Sequence, residues 1–262
     1  MVRPVPSEMR RLVDEERLGS VITIVSGPDA GAKSVIDDEK GYVLDSLPAE
    51  ISEDVLADAR ELMRHEQNRT LTYGDRDVFI ETIAPAPHLI ILGAVHVAQP
   101  LVRMAKELGF VVTVSDARET FTTRERFPEA DRILVGWPQD LMDDLEFDAR
   151  TYVVILSHDA RFEDPVFPVL HESKVRYIGA MGSRRTHRKR AERLSAAGWS
   201  DDEIARIHGP VGLDIGAEAP AEVAVSILAE MIQVRYGFGS GVSLRGREGR
   251  IHLQRTEDKG DL

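Results

Sequence analysis

The chain has 262 residues, with 33 Lys+Arg against 45 Asp+Glu, a formal net charge of −12, and no cysteine. The acidic balance excludes a protein that meets nucleic acid or anionic lipid through a general excess of positive charge. The absence of cysteine excludes disulfides, thiolate metal sites, iron–sulfur clusters and a thiol nucleophile.

The first residues lead from Met1 into Glu8, Arg10, Arg11, Asp14, Glu15 and Glu16. No apolar run of signal-peptide type opens the chain, and none approaches the ~20 residues of a membrane span. A cytoplasmic protein is therefore expected. Val21–Val25, rich in β-branched residues and stopped by Ser26-Gly27-Pro28, reads as a strand. Further strands are expected around Ser34–Ile36, before a turn at Glu39-Lys40-Gly41, and at Val78–Ile83. Between them Val55, Leu56, Ala59, Leu62 and Met63 recur at helical spacing, with Ser52 as the expected N-cap. Residues 1–84 thus form a small α+β module, and Ala84-Pro85-Ala86-Pro87 marks its end.

Residues 85–237 alternate strand and helix. Leu89–Leu92, Phe110–Val114, Arg132–Val135, Tyr152–Leu156 and Arg176–Gly179 read as strands; the apolar Leu89–Leu92 run suits a parallel sheet covered on both faces. Helices are expected over Val97–Leu108, closed by Gly109, and at Asp164–Glu172, Arg184–Ala197, Asp201–Ile207 and Pro220–Tyr236. This alternation predicts an α/β, doubly wound, Rossmann-like parallel sheet domain. The Gly-rich, charged residues 238–262 are expected to be a flexible tail.

Several strand ends carry residues suited to a ligand. Gly93-Ala94-Val95-His96-Val97-Ala98 occupies the place of a dinucleotide fingerprint, where glycines let backbone amides approach a pyrophosphate. Gly93 holds the tight-turn position and Val95 the place of the second glycine. Asp116, about twenty residues on, stands where an acid would hold a ribose hydroxyl, with Arg118 beside it. The turn reads either as a nucleotide site or as a turn of that shape that binds nothing, and His96 either as a cleft residue or as a structural one. Ser157-His158-Asp159 follows a strand end; His158 reads equally as a proton donor or ligand contact and as part of a hydrogen-bonded loop. Gly182-Ser183-Arg184 opens a helix followed by Thr186-His187-Arg188-Lys189-Arg190, a cationic run that reads as a phosphate grip or as a solvated face. Asp214, in the loop Gly209–Ala217, reads as a binding-loop carboxylate ahead of the alternative of a structural turn, and Glu222 as an acid in the first turn of the last helix.

In order, these blocks resemble the XdhC/CoxI family of accessory proteins for molybdenum hydroxylases such as xanthine dehydrogenase and carbon monoxide dehydrogenase. The resemblance runs from about Pro87 to Gly237. It includes Gly93–Ala98, Asp116-x-Arg118, Arg126-Phe127-Pro128, Ser157-His158-Asp159, Tyr177–Arg184, Gly212–Gly216 and Pro220–Ile227. In the N-terminal module only the β and helix pattern and Glu53 match the family. The resemblance implies a Rossmann-like domain that binds molybdenum cofactor, a pterin carrying a phosphate, and helps deliver it to the apo-enzyme of a molybdenum hydroxylase. It places Gly93, His96, Val97, Asp116, Arg118, His158, Gly182, Ser183, Arg184, Asp214 and Glu222 at the cofactor, with no metal ligand and no catalytic residue. A homodimer is expected. Two other readings stand beside it. One is an NAD(P)-dependent oxidoreductase, with His158 as its proton donor; the other is a nucleotide-sensing regulatory protein.

Overall fold

The structure, a computed structural model, describes residues 5–157, 159–237 and 239–246. The chain divides into two compact units, Met1–Pro85 and Ala86–Leu262. The tail expected from residue 238 on lies mostly outside the described residues; those that are described include a single 3-10 turn, Leu244–Gly246.

The first unit is a five-stranded antiparallel sheet with a helix on each face. Its elements are α1 (Val5–Asp14), β1 (Gly19–Ser26), β2 (Lys33–Asp37), β3 (Gly41–Leu44), α2 (Ala49–Arg64), β4 (Arg69–Tyr73) and β5 (Arg76–Ile83). The strand order is β3-β2-β1-β5-β4. Alternation along β1 divides its side chains between two cores. Ile22 and Ile24 pack with Val55, Ala59 and Met63 of α2, whereas Val21 packs with Leu12 of α1. The expected cap at Ser52 is corrected: α2 starts at Ala49, with Pro48 before it. Pro48 fixes its own φ and has no amide to leave unpaired, so the helix starts a turn earlier than a hydroxyl cap would place it. Asp37 at the end of β2 is fully buried and takes Arg17 on both oxygens, at 2.7 and 2.6 Å, and Arg11 at 3.3 Å.

The second unit is a six-stranded parallel sheet. Its strands are β6 (His88–Leu92), β7 (Val111–Asp116), β8 (Arg132–Val135), β9 (Thr151–Ile155), β10 (Tyr177–Ala180) and β11 (Ile207–His208). Its helices are α3 (Ala98–Glu107), α4 (Pro138–Leu141), α5 (Ala160–Glu163), α6 (Phe167–Glu172), α7 (Arg184–Ala196), α8 (Asp201–Ala205) and α9 (Pro220–Tyr236). The order β11-β10-β9-β6-β7-β8 is the doubly wound Rossmann order, with its switch point between β6 and β9. Along β6, Leu89 and Ile91 face α3 and α9, while Ile90 and Leu92 face α6 and α7. Both faces of β6 are covered, which is why it is apolar from Leu89 to Leu92.

Gly109 closes α3 as expected, at φ +80°, with its amide on Lys106 O and the Phe110 amide on Ala105 O. Two helix expectations change. The expected helix Asp164–Glu172 shortens to α6, Phe167–Glu172, with Pro165 in the turn that separates it from the preceding α5, Ala160–Glu163. The span Asp201–Ile207 ends at Ala205, and Ile207 instead pairs with Ile178 as the edge strand β11.

Candidate functional site

A cleft of about 780 Å³ opens at the carboxyl ends of the parallel strands, walled by Val95, His96, Val97, Asp116, Arg118, Trp137, Ser157, Asp159, Arg161, Phe162 and Met181. In an open parallel sheet this is where two neighbouring crossovers diverge and leave a crevice.

Gly93 forms the floor of the turn after β6. Its φ is +117°, and a Cβ there would lie 3.2 Å from the Ser157 amide nitrogen, so this close approach admits only glycine. The chain then turns into α3. The amides of Val95, His96 and Val97 find no acceptor among the described residues and stand at the helix start, which concentrates positive potential there. Val95 and the exposed His96 side chain both reach the cleft.

Asp116, at the end of β7, is buried and spends its carboxylate inside the protein. Oδ2 accepts the Ala94 amide at 2.8 Å and Arg118 Nη2 at 2.7 Å. Oδ1 accepts Arg118 Nε at 2.9 Å and the Arg118 amide at 3.0 Å. Burial alone would raise the Asp116 pKa; the Arg118 guanidinium and the two amides outweigh it and hold the carboxyl below its usual range. The main chain of Asp116 is used as well, its carbonyl accepting the Gly136 amide at 3.1 Å. What reaches the ligand side is therefore Arg118, whose side chain is 50% exposed. Arg118 and Arg126 both lie over the Phe121 ring, at 4.5 and 4.9 Å, and Arg126 also reaches Ala94 O at 3.3 Å.

The opposite wall is aromatic. Trp137 follows β8, and its ring lies 4.7 Å from that of Phe162. Arg161, paired with Asp159, sits 5.6 Å over the indole. Asp159 also caps α5 by accepting the Arg161 amide at 3.0 Å. Reasoning from the sequence missed Trp137, Arg161 and Phe162. The available signal was positional, an aromatic directly after a strand of the parallel sheet.

The sequence-predicted residues separate into groups. Gly93, His96, Val97, Asp116 and Arg118 come together around the cleft. His158 lies outside the described residues, between the cleft residues Ser157 and Asp159. Gly182, Ser183 and Arg184 follow Met181 at the start of α7. There Ser183 caps the helix by accepting the Thr186 amide at 3.1 Å, and Gly182 is required because a Cβ would lie 2.9 Å from Thr186. Arg184 is exposed. Asp214 stands exposed in the loop before α9, and Glu222 accepts the amides of Glu218 and Ala219, both at 2.9 Å, as a helix cap. The cationic run of α7 is corrected in one respect: Arg190 is fully buried and bound to Glu163, so it offers no charge to solvent. His187 lies against Gly209, where any Cβ would collide with its ring. Burial and then the Arg190 charge depress its pKa, so the imidazole is neutral at pH 7.

Residues 89–231 match the XdhC Rossmann domain. The chain belongs to that family. Within it, the chain is 34% identical over 159 residues to a Bacillus subtilis (strain 168) protein named as a probable xanthine dehydrogenase subunit, covering 61% of this chain and 46% of that one. It is 41% identical over 90 residues to the Escherichia coli (strain K12) molybdenum cofactor insertion chaperone PaoD, covering 34% of this chain and 28% of PaoD. The matches thus span less than half the length of these curated relatives. A Bacillus halodurans crystal structure described as a xanthine dehydrogenase shares the fold at a TM-score of 0.52 and 21% identity, over 87% of this chain and 92% of that one. Among the described residues no helix is long and apolar enough to cross a membrane, and no group of three His, Cys, Asp or Glu side chains is placed to hold a metal.

Proposed function

We propose that this XdhC-family chain is an accessory protein that holds molybdenum cofactor in the cleft at β6 and β9 and assists its delivery to a molybdenum hydroxylase. The observation that carries this reading is the state of Asp116. A dinucleotide-binding acid must keep an oxygen free for the ribose hydroxyls, and Asp116 gives all of its oxygens to Arg118, Ala94 and Gly136. The groups left facing the ligand are donors: the Arg118 guanidinium and the amides at the start of α3. Donors suit a phosphate.

The cofactor's organic part fits this arrangement. It is a pterin bearing one phosphate, and the cleft offers a cationic end, an aromatic wall and about 780 Å³, within the range of small-molecule sites. Arg118, His96 and the turn at Gly93 would hold the phosphate, with Asp116 as the residue that positions Arg118. With no cysteine in the chain, there is no thiolate for molybdenum, so the hold is on the pterin and its phosphate. The names of the two curated relatives, one a cofactor insertion chaperone and the other part of a xanthine dehydrogenase, support a role beside such an enzyme. Val95, which crowds the approach a pyrophosphate needs, also weighs against NAD.

The Rossmann strand order favours a nucleotide as the second reading. A thermal-shift series on the whole chain separates the two, using molybdenum cofactor released from a molybdoenzyme, NAD, NADP, ATP and GTP. A ligand at one hundred times its Kd stabilises by ~2.7 kcal/mol. For a domain of this size that is a rise of roughly 5–11 °C. The expected result is a rise with the cofactor that Arg118→Ala abolishes. A rise with a nucleotide alone would overturn the proposal.

A further inference from the structure

The two tryptophans of the chain occupy opposite environments. Trp199 is 7% exposed, sealed into the core between Phe167 and His171. Trp137 is half-buried and forms part of the cleft wall. Its backbone is held on both sides. Pro138 at the first position of α4 keeps Trp137 extended, at φ −72° and ψ 146°, and the Gly136 amide is fixed on Asp116 O. Phe162 backs the indole at 4.7 Å. The guanidinium of Arg161, 5.6 Å from the ring centroid, belongs to a side chain 75% exposed and paired with Asp159.

A large aromatic side chain that packs in no aliphatic core, on a rigid backbone beside a cationic pocket, is placed to accept a flat ring. We infer that Trp137 is the platform on which the ring of the bound molecule stacks, so that the cleft selects a planar heterocycle carrying a phosphate, with the phosphate at Arg118 and the ring at Trp137. Which heterocycle it takes rests on the function proposed above; the platform itself rests on the cleft alone. The connection through Asp116, whose carboxylate orients Arg118 and whose carbonyl fixes Gly136, sets the two ends of the ligand site relative to each other.

The test uses isothermal titration of the full chain with three probes. These are released molybdenum cofactor, 6-carboxypterin as a ring without phosphate, and ribose 5-phosphate as a phosphate without an aromatic ring. Trp137→Ala raises the Kd for the two pterins roughly 5- to 150-fold, the range that loss of one stacked ring gives. It leaves ribose 5-phosphate binding unchanged, and Trp137→Phe retains most of the pterin affinity. Melting curves of both variants confirm that they fold. Pterin affinities equal to wild type in a folded Trp137→Ala would overturn the platform. If the wild type ignores the pterins, AMP and GMP are titrated next. A Trp137-dependent Kd for either upholds the platform and overturns the choice of molybdenum cofactor; their failure to bind overturns both.

Discussion

The Arg190 guanidinium meets the Glu163 carboxylate along two parallel hydrogen bonds, Nε to Oε2 at 3.0 Å and Nη2 to Oε1 at 2.5 Å, with neither side chain more than 3% exposed. The same Nη2 reaches Met181 O at 3.0 Å, while Nη1 is buried with no hydrogen-bond partner among the described residues. This pair ties α7 to α5, which carries Arg161 and Phe162 of the cleft wall. Removing Glu163 leaves the buried Arg190 charge without a counter-ion, and removing Arg190 leaves buried Glu163 with only the half-exposed Arg193, at 3.2 Å; loss of a buried partner costs about 3–5 kcal/mol. Glu163→Ala and Arg190→Ala are each expected to lower Tm by roughly 6–20 °C. Glu163→Leu combined with Arg190→Met recovers much of that loss. Differential scanning calorimetry checks this, and single variants that melt like wild type would show that the pair contributes nothing.

Asp116→Asn keeps the shape of the side chain and removes the charge that Arg118 pairs with. It is expected to destabilise the chain by ~1–3 kcal/mol and to weaken phosphate-bearing ligands by freeing Arg118 from its position. Because the folded pKa of Asp116 is depressed, its contribution is complete above the unfolded carboxyl value of ~3.9. That contribution disappears as pH falls through the lower folded value. Urea unfolding from pH 3 to 7 should show a smaller acid dependence in Asp116→Asn than in wild type. Parallel curves with a constant gap down to pH 3 would contradict this assignment.

Asp37 gives the first unit its own sensitivity to acid. Burial pushes its pKa up, but Arg17, the Lys40 amide and Arg11 pull it down to about 2. The difference from 3.8 is worth about 2 kcal/mol of stability near neutral pH. It is lost between pH ~4 and ~2, where the unfolded chain binds the proton first. Asp37→Asn should therefore be less stable than wild type at pH 7, with the gap closing towards pH 2. Thermal melts at both ends of that range measure it.

Gly93→Ala tests the floor of the cleft. With φ at +117° and the Ser157 amide 3.2 Å from any Cβ, the substitution combines backbone strain with a contact on main chain that has little room to yield. A loss of ~1–3 kcal/mol is expected. Ligand affinity should fall by more than that loss explains, since the amides of Val95–Val97 shift with the turn. Unchanged affinity in Gly93→Ala would remove those amides from the binding site.

Much of the second unit is legible in the sequence because parallel strands covered on both faces must be continuously apolar. Leu89–Leu92 and Tyr152–Leu156 stand out on that ground, and α9 is marked by Pro220 at its start and Gly237 at its end. The Gly93 turn and Asp116 are legible too, since both sit at strand ends. The actual role of Asp116 is not, because it depends on Arg118 folding back onto it, a choice of rotamer that spacing does not encode. Helix α1 is harder to read: Met9 and Leu12 are its apolar anchors, and Glu8 is buried beside Arg11, so its pattern passes for a charged surface segment. In the same way the burial of Arg190 depends on Glu163 arriving from another crossover, and a run of cations in sequence looks solvated until that partner is placed.

The packing of α3 against α9 sets an order of events during synthesis. One side of the parallel sheet is covered by these two helices, and everything from Leu108 to Ala219 is translated between them. A nascent chain that has just released α3 from the ribosome still exposes Leu89 and Ile91 on that side, with half their cover yet to be made. The cleft turn at Gly93–Val97 leads directly into α3, so its geometry becomes firm only when the last helix emerges. Chains truncated before Pro220 should therefore be recognised by holdase chaperones, and a ligand would enter only after α9 has emerged.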